Sequence, residues 1–107
     1  LRSGAEIQAI FQHGKRVDAP AVSVLWRETD DARRAGFAVS RQIQGAVHRN
    51  RARRRLREAY RRVRSAAPPR IALVVIAKRR ALEVPFTALA AEMKAVLSRI
   101  DAPRTTA

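Results

Sequence analysis

The chain has 107 residues, 47% of them hydrophobic: enough for one modest core, and too apolar for a disordered basic tail. Its 23 Lys and Arg against 9 Asp and Glu leave a formal charge of +14, which calls for a polyanionic partner, nucleic acid or an acidic membrane surface. It has no cysteine, which excludes disulfides and thiolate metal sites, and no stretch reads as a membrane span or a signal peptide, so a cytoplasmic protein is expected.

Ser3-Gly4-Ala5-Glu6 has capping-box spacing, and Ile7, Ile10 and Phe11 follow at i, i+3 and i+4, so a short amphipathic helix is predicted, stopped at Gly14. Residues 15–17 could include a brief strand. Residues 21–27 alternate as a strand, with Val22, Val24 and Trp26 on one face and Ala21, Ser23 and Leu25 on the other. After a polar connection, residues 35–40 read as a return strand, expected to pair antiparallel with its predecessor.

Residues 46–64 form the most distinctive stretch. Arginine fills nine of the last sixteen positions, with Glu58 the only acid and neither Gly nor Pro present. Helical spacing lines up Ala52, Leu56, Ala59 and Val63 on one side, with Tyr60 at the edge. Arg53, Arg54, Arg57, Arg61 and Arg64 fall opposite with Asn50, and Arg51, Arg55 and Arg62 lie on the flank. The pairs Arg49–Arg53, Arg51–Arg55, Arg53–Arg57 and Arg57–Arg61 are like charges at i, i+4, which repel. A helix selected only to fold would mix signs. Guanidinium forks match phosphate oxygens, so this face reads as a phosphate-binding one.

Pro68-Pro69 breaks the chain, and Ile71–Ala77 is an apolar, β-branched run read as a buried central strand with Lys78, Arg79 and Arg80 at its exit. Pro85 opens a last helix with the stripe Phe86, Leu89, Met93, Val96, Leu97 and Ile100, ending near Asp101. Residues 1–101 are expected to be a single RNA-binding domain and residues 102–107 a flexible tail. The order α-β-β(-β)-α-β-α describes an α+β protein, a two-layer sandwich with a small mixed sheet.

No catalytic constellation is visible. Asp30 and Asp31 are the only adjacent acids and sit in a turn context; His13 and His48 lack a nucleophile partner; there is no phosphate loop or dinucleotide fingerprint. No protein-bound metal is expected. What the chain offers is a second binding set, Phe11, Lys15, Arg41, Lys78 and Arg79, placed where a cleft between helix and sheet could follow a single strand.

Ala46-Val47-His48-Arg49-Asn50-Arg51 resembles the signature of the protein subunit of bacterial ribonuclease P, an Ala-Val-x-Arg-Asn-Arg run continuing into basic helix, matched here by Arg53, Arg54, Leu56, Arg57, Glu58 and Tyr60. Phe11-Gln12-His13-Gly14, the run from Gly36 to Arg41, and Val75-Ile76-Ala77-Lys78-Arg79 are similar to the family in the same order. The resemblance implies a left-handed βαβ crossover and a large catalytic RNA as partner. That RNA hydrolyses precursor tRNA with Mg²⁺, while the protein, a monomer with one copy per RNA, grips the 5′ leader. It implies that Arg49, Asn50, Arg51, Arg53, Arg54 and Arg57 face the catalytic RNA, to which the helix period adds Arg61, and that Phe11, Arg41, Lys78 and Arg79 line or border the leader cleft, to which the second binding set adds Lys15. Ile7 and Leu25 stand where members often carry aromatics, and Gln44-Gly45 where a polar helix cap is usual. The alternatives are a ribosomal or RNA-assembly protein, a protein-only nuclease whose scattered acids converge, and a membrane-surface binder. Ala52 and Ala59 are too small to serve the last.

Overall fold

In the computed structural model, which describes residues 4–104, the apolar run Ile71–Ala77 is the strand on which the others are hung. β1 (Lys15–Asp18), β2 (Val22–Glu28), β3 (Arg34–Val39) and β4 (Ile71–Ala77) form one sheet in the order β1-β2-β4-β3. β2 is antiparallel to both β1 and β4, whereas β3 runs parallel to β4. The return strand therefore does not pair with its predecessor, contrary to the sequence expectation. β4 is apolar on both faces and is buried along nearly its whole length. It needs a neighbour on each edge, so it inserts between β2 and β3 and leaves the mostly half-exposed β3 outermost.

Helices α2 (Ala46–Val63) and α3 (Phe86–Ser98) cover one face of the sheet. There Val24, Leu73 and Val75 pack with Leu56, Leu89, Met93 and Leu97, all essentially inaccessible to solvent. Helix α1 (Gly4–His13) lies on the other face, where Ile10 is buried against Leu25, Ala72 and Val74. The result is a mixed α+β sandwich, fully covered on one side and partly on the other.

Local chemistry fixes the ends of these elements. Ser3, the expected cap of α1, lies outside the described residues, and Glu6 pairs across the fold with Arg34 at 3.1 Å. Gly14 closes α1 through its N–H to the Ile10 carbonyl (2.8 Å), and a Cβ there would collide with that carbonyl oxygen and lie 2.9 Å from the Trp26 carbonyl oxygen. Only glycine fits. Helix α2 tightens into a 3-10 turn at Arg64–Ala66. Helix α3 ends at Ser98, short of Asp101, and the Arg104 guanidinium caps it, reaching back to the carbonyls of Leu97 (3.1 Å), Ser98 (3.0 Å) and Ile100 (3.2 Å) and across to Ala66 (2.6 Å). Residues 102–104 are thus tethered where a flexible tail is expected; residues 105–107 lie outside the described part.

A candidate nucleic-acid interface

The apolar stripe orients α2. Ala52, Leu56 and Ala59 are buried, Val63 and Tyr60 half-buried, and the rest of the circumference is basic. Gly45 starts the helix with φ 87°, a left-handed turn that suits glycine, and its carbonyl accepts the Arg49 N–H at 3.0 Å. No side chain caps this end and no acid occupies the first turn. The first-turn N–H groups of α2 thus lack the polar side-chain cap that is usual there.

The arginines divide into two groups. Those beside the stripe turn inward. Arg49 donates from Nη1 to the carbonyls of Ser40 (3.0 Å) and Ile43 (2.9 Å) and from Nη2 to that of Val39 (3.2 Å), pinning the link between β3 and α2. Arg55 donates from Nε to the Ala81 carbonyl (2.9 Å) and from Nη2 to the Val84 carbonyl, tying α2 to the turn that precedes α3. Arg62 lies over the Phe86 ring at 4.9 Å. Partial burial and the neighbouring Arg51 charge lower the Arg55 pKa, a direction that leaves a guanidinium protonated at any neutral pH.

Those opposite the stripe, joined by Arg51 from its flank, face solvent. Arg51, Arg54 and Arg57 are exposed and have no hydrogen-bond or ion-pair partner among the described residues. Arg53 donates to Asn50 Oδ1 (3.3 Å), and Arg61 approaches Glu58 at 3.6 Å, both exposed pairs worth little to folding. Of the residues expected to face RNA, six form this open row, and Arg49 is directed into its own fold.

The sheet face under α1 holds the second set. Strand pairing places Arg16, Leu25, Val74 and Gly36 in one row and Asp18, Ser23, Ile76 and Ala38 in the next. Helix α1 covers the first row and leaves Ile76 and Ala38 half-exposed as the floor of a cleft. Glu6 and Ala9 border a cavity beside Arg27 and Asp30; Phe11 emerges from the opposite flank of α1 and is 50% exposed. That exposure distinguishes it from the core residues Ile7 and Ile10.

Lys15 does not join this set. Strand alternation gives it the face of Trp26, with Nζ 5.3 Å from the indole centroid, while its neighbour Arg16 takes the cleft face. Arg16 Nε bonds both Asp18 oxygens (2.8 and 3.0 Å), and Asp18 Oδ1 accepts from the buried Ser23 hydroxyl at 2.5 Å. The Ser23 hydroxyl, then Arg16, hold the Asp18 carboxyl below the usual carboxylate range. Arg16 is the residue that sequence reasoning missed. The parity of β1 would have identified it, but that parity is fixed only by the register with β2.

Lys78 Nζ donates to the Ala19 carbonyl (2.7 Å) and lies 3.8 Å from Asp18, at the cleft's end. Arg41 is exposed in the link that follows β3. Arg79 stands instead in a cavity of about 470 Å³ at the start of α2, with Gln42, Gln44, His48 and Glu83. Among the described residues no three His, Cys, Asp or Glu side chains gather to hold a metal ion, and no helix is long and apolar enough to cross a membrane.

A family model described as Ribonuclease P matches residues 1–101. The ribonuclease P protein component of Symbiobacterium thermophilum is 37% identical over 101 residues, covering 92% of this chain and 88% of the relative. That of Acidothermus cellulolyticus is 38% identical over 104 residues, covering 94% and 86%. The solved RNase P protein of Thermotoga maritima superposes with a TM-score of 0.84 at 29% identity, covering 95% of this chain and 97% of its own. The Staphylococcus aureus protein gives 0.76 at 25% identity, with coverage of 91% and 90%.

Proposed function

This chain belongs to the ribonuclease P protein family, and we propose that it serves its holoenzyme by neutralising and positioning two RNA molecules at once. The family role is that of a subunit of an endoribonuclease whose other component is the ribonuclease P RNA. In our reading Asn50, Arg51, Arg53, Arg54, Arg57 and Arg61 meet phosphates of that RNA. The cleft beneath α1 takes the 5′ leader of precursor tRNA, with Phe11 as the stacking surface and Arg16, Arg41 and Lys78 at its border. Arg79, beside the start of α2, bridges the two regions. Residues 1–101 act as one RNA-binding unit, one copy per RNA, in the cytoplasm.

The observation that carries this reading is the row of like-charged, exposed guanidiniums on α2, three of them without a partner among the described residues, an arrangement that costs folding energy unless a polyanion offsets it. Mg²⁺, on which the family's hydrolysis depends, we assign to the RNA, and we assign no chemical step to the carboxylates of this chain. The chain's own part is to let two polyanions approach at low Mg²⁺.

The test is cleavage of a 5′-extended precursor tRNA at low Mg²⁺ with the protein, its cognate RNA, or both. Leader release requiring both is the expected result. Cleavage by the protein alone would reveal a missed active site. Binding without stimulation would favour a ribosomal or RNA-assembly role. Phe11→Ala should weaken binding of leader-bearing precursor while leaving mature tRNA unaffected; equal loss for both would mark Phe11 as core.

A further inference from the structure

Beyond the cleft and the outward row of α2, the fold contains a cavity of about 450 Å³ at the far end of that helix, beside the outer edge of β3. Its wall is made by Phe37 of β3, Tyr60 and Arg64 at the end of α2, Arg33 from the connection before β3, and Pro69. Three other surface cavities each carry a carboxylate: Glu83 in one, Glu28 in a second, and Glu6, Glu28 and Asp30 in a third. This one has no acid in its lining, and pairs two guanidiniums with two aromatic rings.

Its parts are held in place. The Phe37 and Tyr60 rings meet edge to face, 5.6 Å between centroids and 70° between planes. Arg33 fixes the rim through the Ala67 carbonyl (2.9 Å), and its charge lies near enough to Tyr60 to oppose the effect of burial on that hydroxyl. Burial raises the Tyr60 pKa, so its hydroxyl stays neutral and can still donate. Arg64 is exposed, its guanidinium without a hydrogen-bond or ion-pair partner among the described residues. A preformed aromatic wall, a retained hydroxyl and one open guanidinium are what an extruded nucleotide requires: a surface for its base, a donor for its edge, a cation for its phosphate.

We propose that this cavity receives one unpaired nucleotide of the catalytic RNA, its base against Phe37 and Tyr60 and its phosphate on Arg64. The assignment rests on the preceding reading, in which α2 lies on that RNA. The occupant is not the leader, because Phe37 shares the β3 face with Val39, against α2, whereas the cleft floor is formed by Ala38 on the opposite face. The nucleotide extends the contact of α2 beyond its last arginine row to the edge of the sheet.

The chain has a single tyrosine, so 3-fluorotyrosine labelling reports Tyr60 alone. Titration with adenosine 5′-monophosphate should shift its fluorine resonance, and inorganic phosphate at equal ionic strength should not; equal responses to both, or none, overturn the base-binding assignment. In the reconstituted holoenzyme, Arg64→Glu, a surface change that leaves the core intact, should weaken catalytic RNA binding about tenfold and expose one unpaired nucleotide to base-specific chemical probing. Tyr60→Leu should expose the same nucleotide. Unchanged protection in both variants, or a loss seen only on precursor tRNA, overturns the proposal. Failure of wild-type protein to stimulate leader cleavage would instead overturn the functional reading on which it stands.

Discussion

The two sides of α2 carry the same residue type and put it to opposite uses. Beside the apolar stripe, Arg49 and Arg55 direct their guanidiniums at backbone carbonyls of neighbouring segments and act as struts of the fold. Away from it, Arg51, Arg54 and Arg57 face solvent, their guanidiniums without a hydrogen-bond or ion-pair partner among the described residues. Position relative to buried surface, rather than residue identity, decides which arginine is bonded into the fold and which stays open to solvent. A basic helix thus cannot be treated as a uniform electrostatic patch.

Four measurements would break or sharpen that contrast. The largest effect is expected from replacing Arg51, Arg54 and Arg57 together with Ala. Affinity for the catalytic RNA should fall about a hundredfold or more, and the slope of log affinity against log salt by about 2 to 3, with thermal stability held or slightly raised as the like-charge repulsion is relieved. An unchanged slope would remove these residues from the interface. Next, Arg55→Ala should lower unfolding free energy by about 1.5 to 3 kcal/mol in urea titration, since the carbonyls of Ala81 and half-buried Val84 lose a charged donor, while the salt slope stays put. A slope change there would erase the distinction between the two sides.

Arg49→Ala is the more discriminating variant. It should cost about 1 to 3 kcal/mol in stability without altering the salt slope; a slope lower by about one would return Arg49 to the RNA face. The smallest effect is expected in the cleft, where Arg16 resembles an inward arginine in bonding within the protein but remains accessible. The folded-state pKa of Asp18 is depressed below 3.8, so its contribution is complete above the unfolded value and fades as pH falls through the folded one. Acid titration of stability should show wild type and Asp18→Asn diverging above about pH 4 and converging below. Curves that never diverge would make the Arg16–Asp18–Ser23 cluster irrelevant to folding.

Much of this was legible in the residues. The limits of β4 match the apolar run residue for residue, and the buried positions of α2 match its 3.6-residue period, because both signals are local. The position of β3 was not: a short polar connection suggests a hairpin, whereas the outcome depends on where a strand more than thirty residues later must be buried. Lys15 and Arg16 are adjacent cations, and only the β1–β2 register decides which one meets the cleft. The inward turn of Arg49 and Arg55 left no trace in the sequence, since carbonyls carry no residue identity and become neighbours only once the chain has folded.

The placement of β4 between β2 and β3 also sets a schedule. Residues 15–70 contain three of the four strands and the whole basic helix, yet the ladders that β2 and β3 share with β4 cannot form until residues 71–77 arrive. Until then the only ladder open to β2 is the short one with β1, β3 has no partner, and α2 lacks much of its apolar support while its arginines repel one another. Non-local pairing of this kind favours slow, all-at-once assembly. A chain ending before Ile71 should accordingly show little amide protection in hydrogen exchange, and the cleft and the arginine face should mature together, as products of one late folding event.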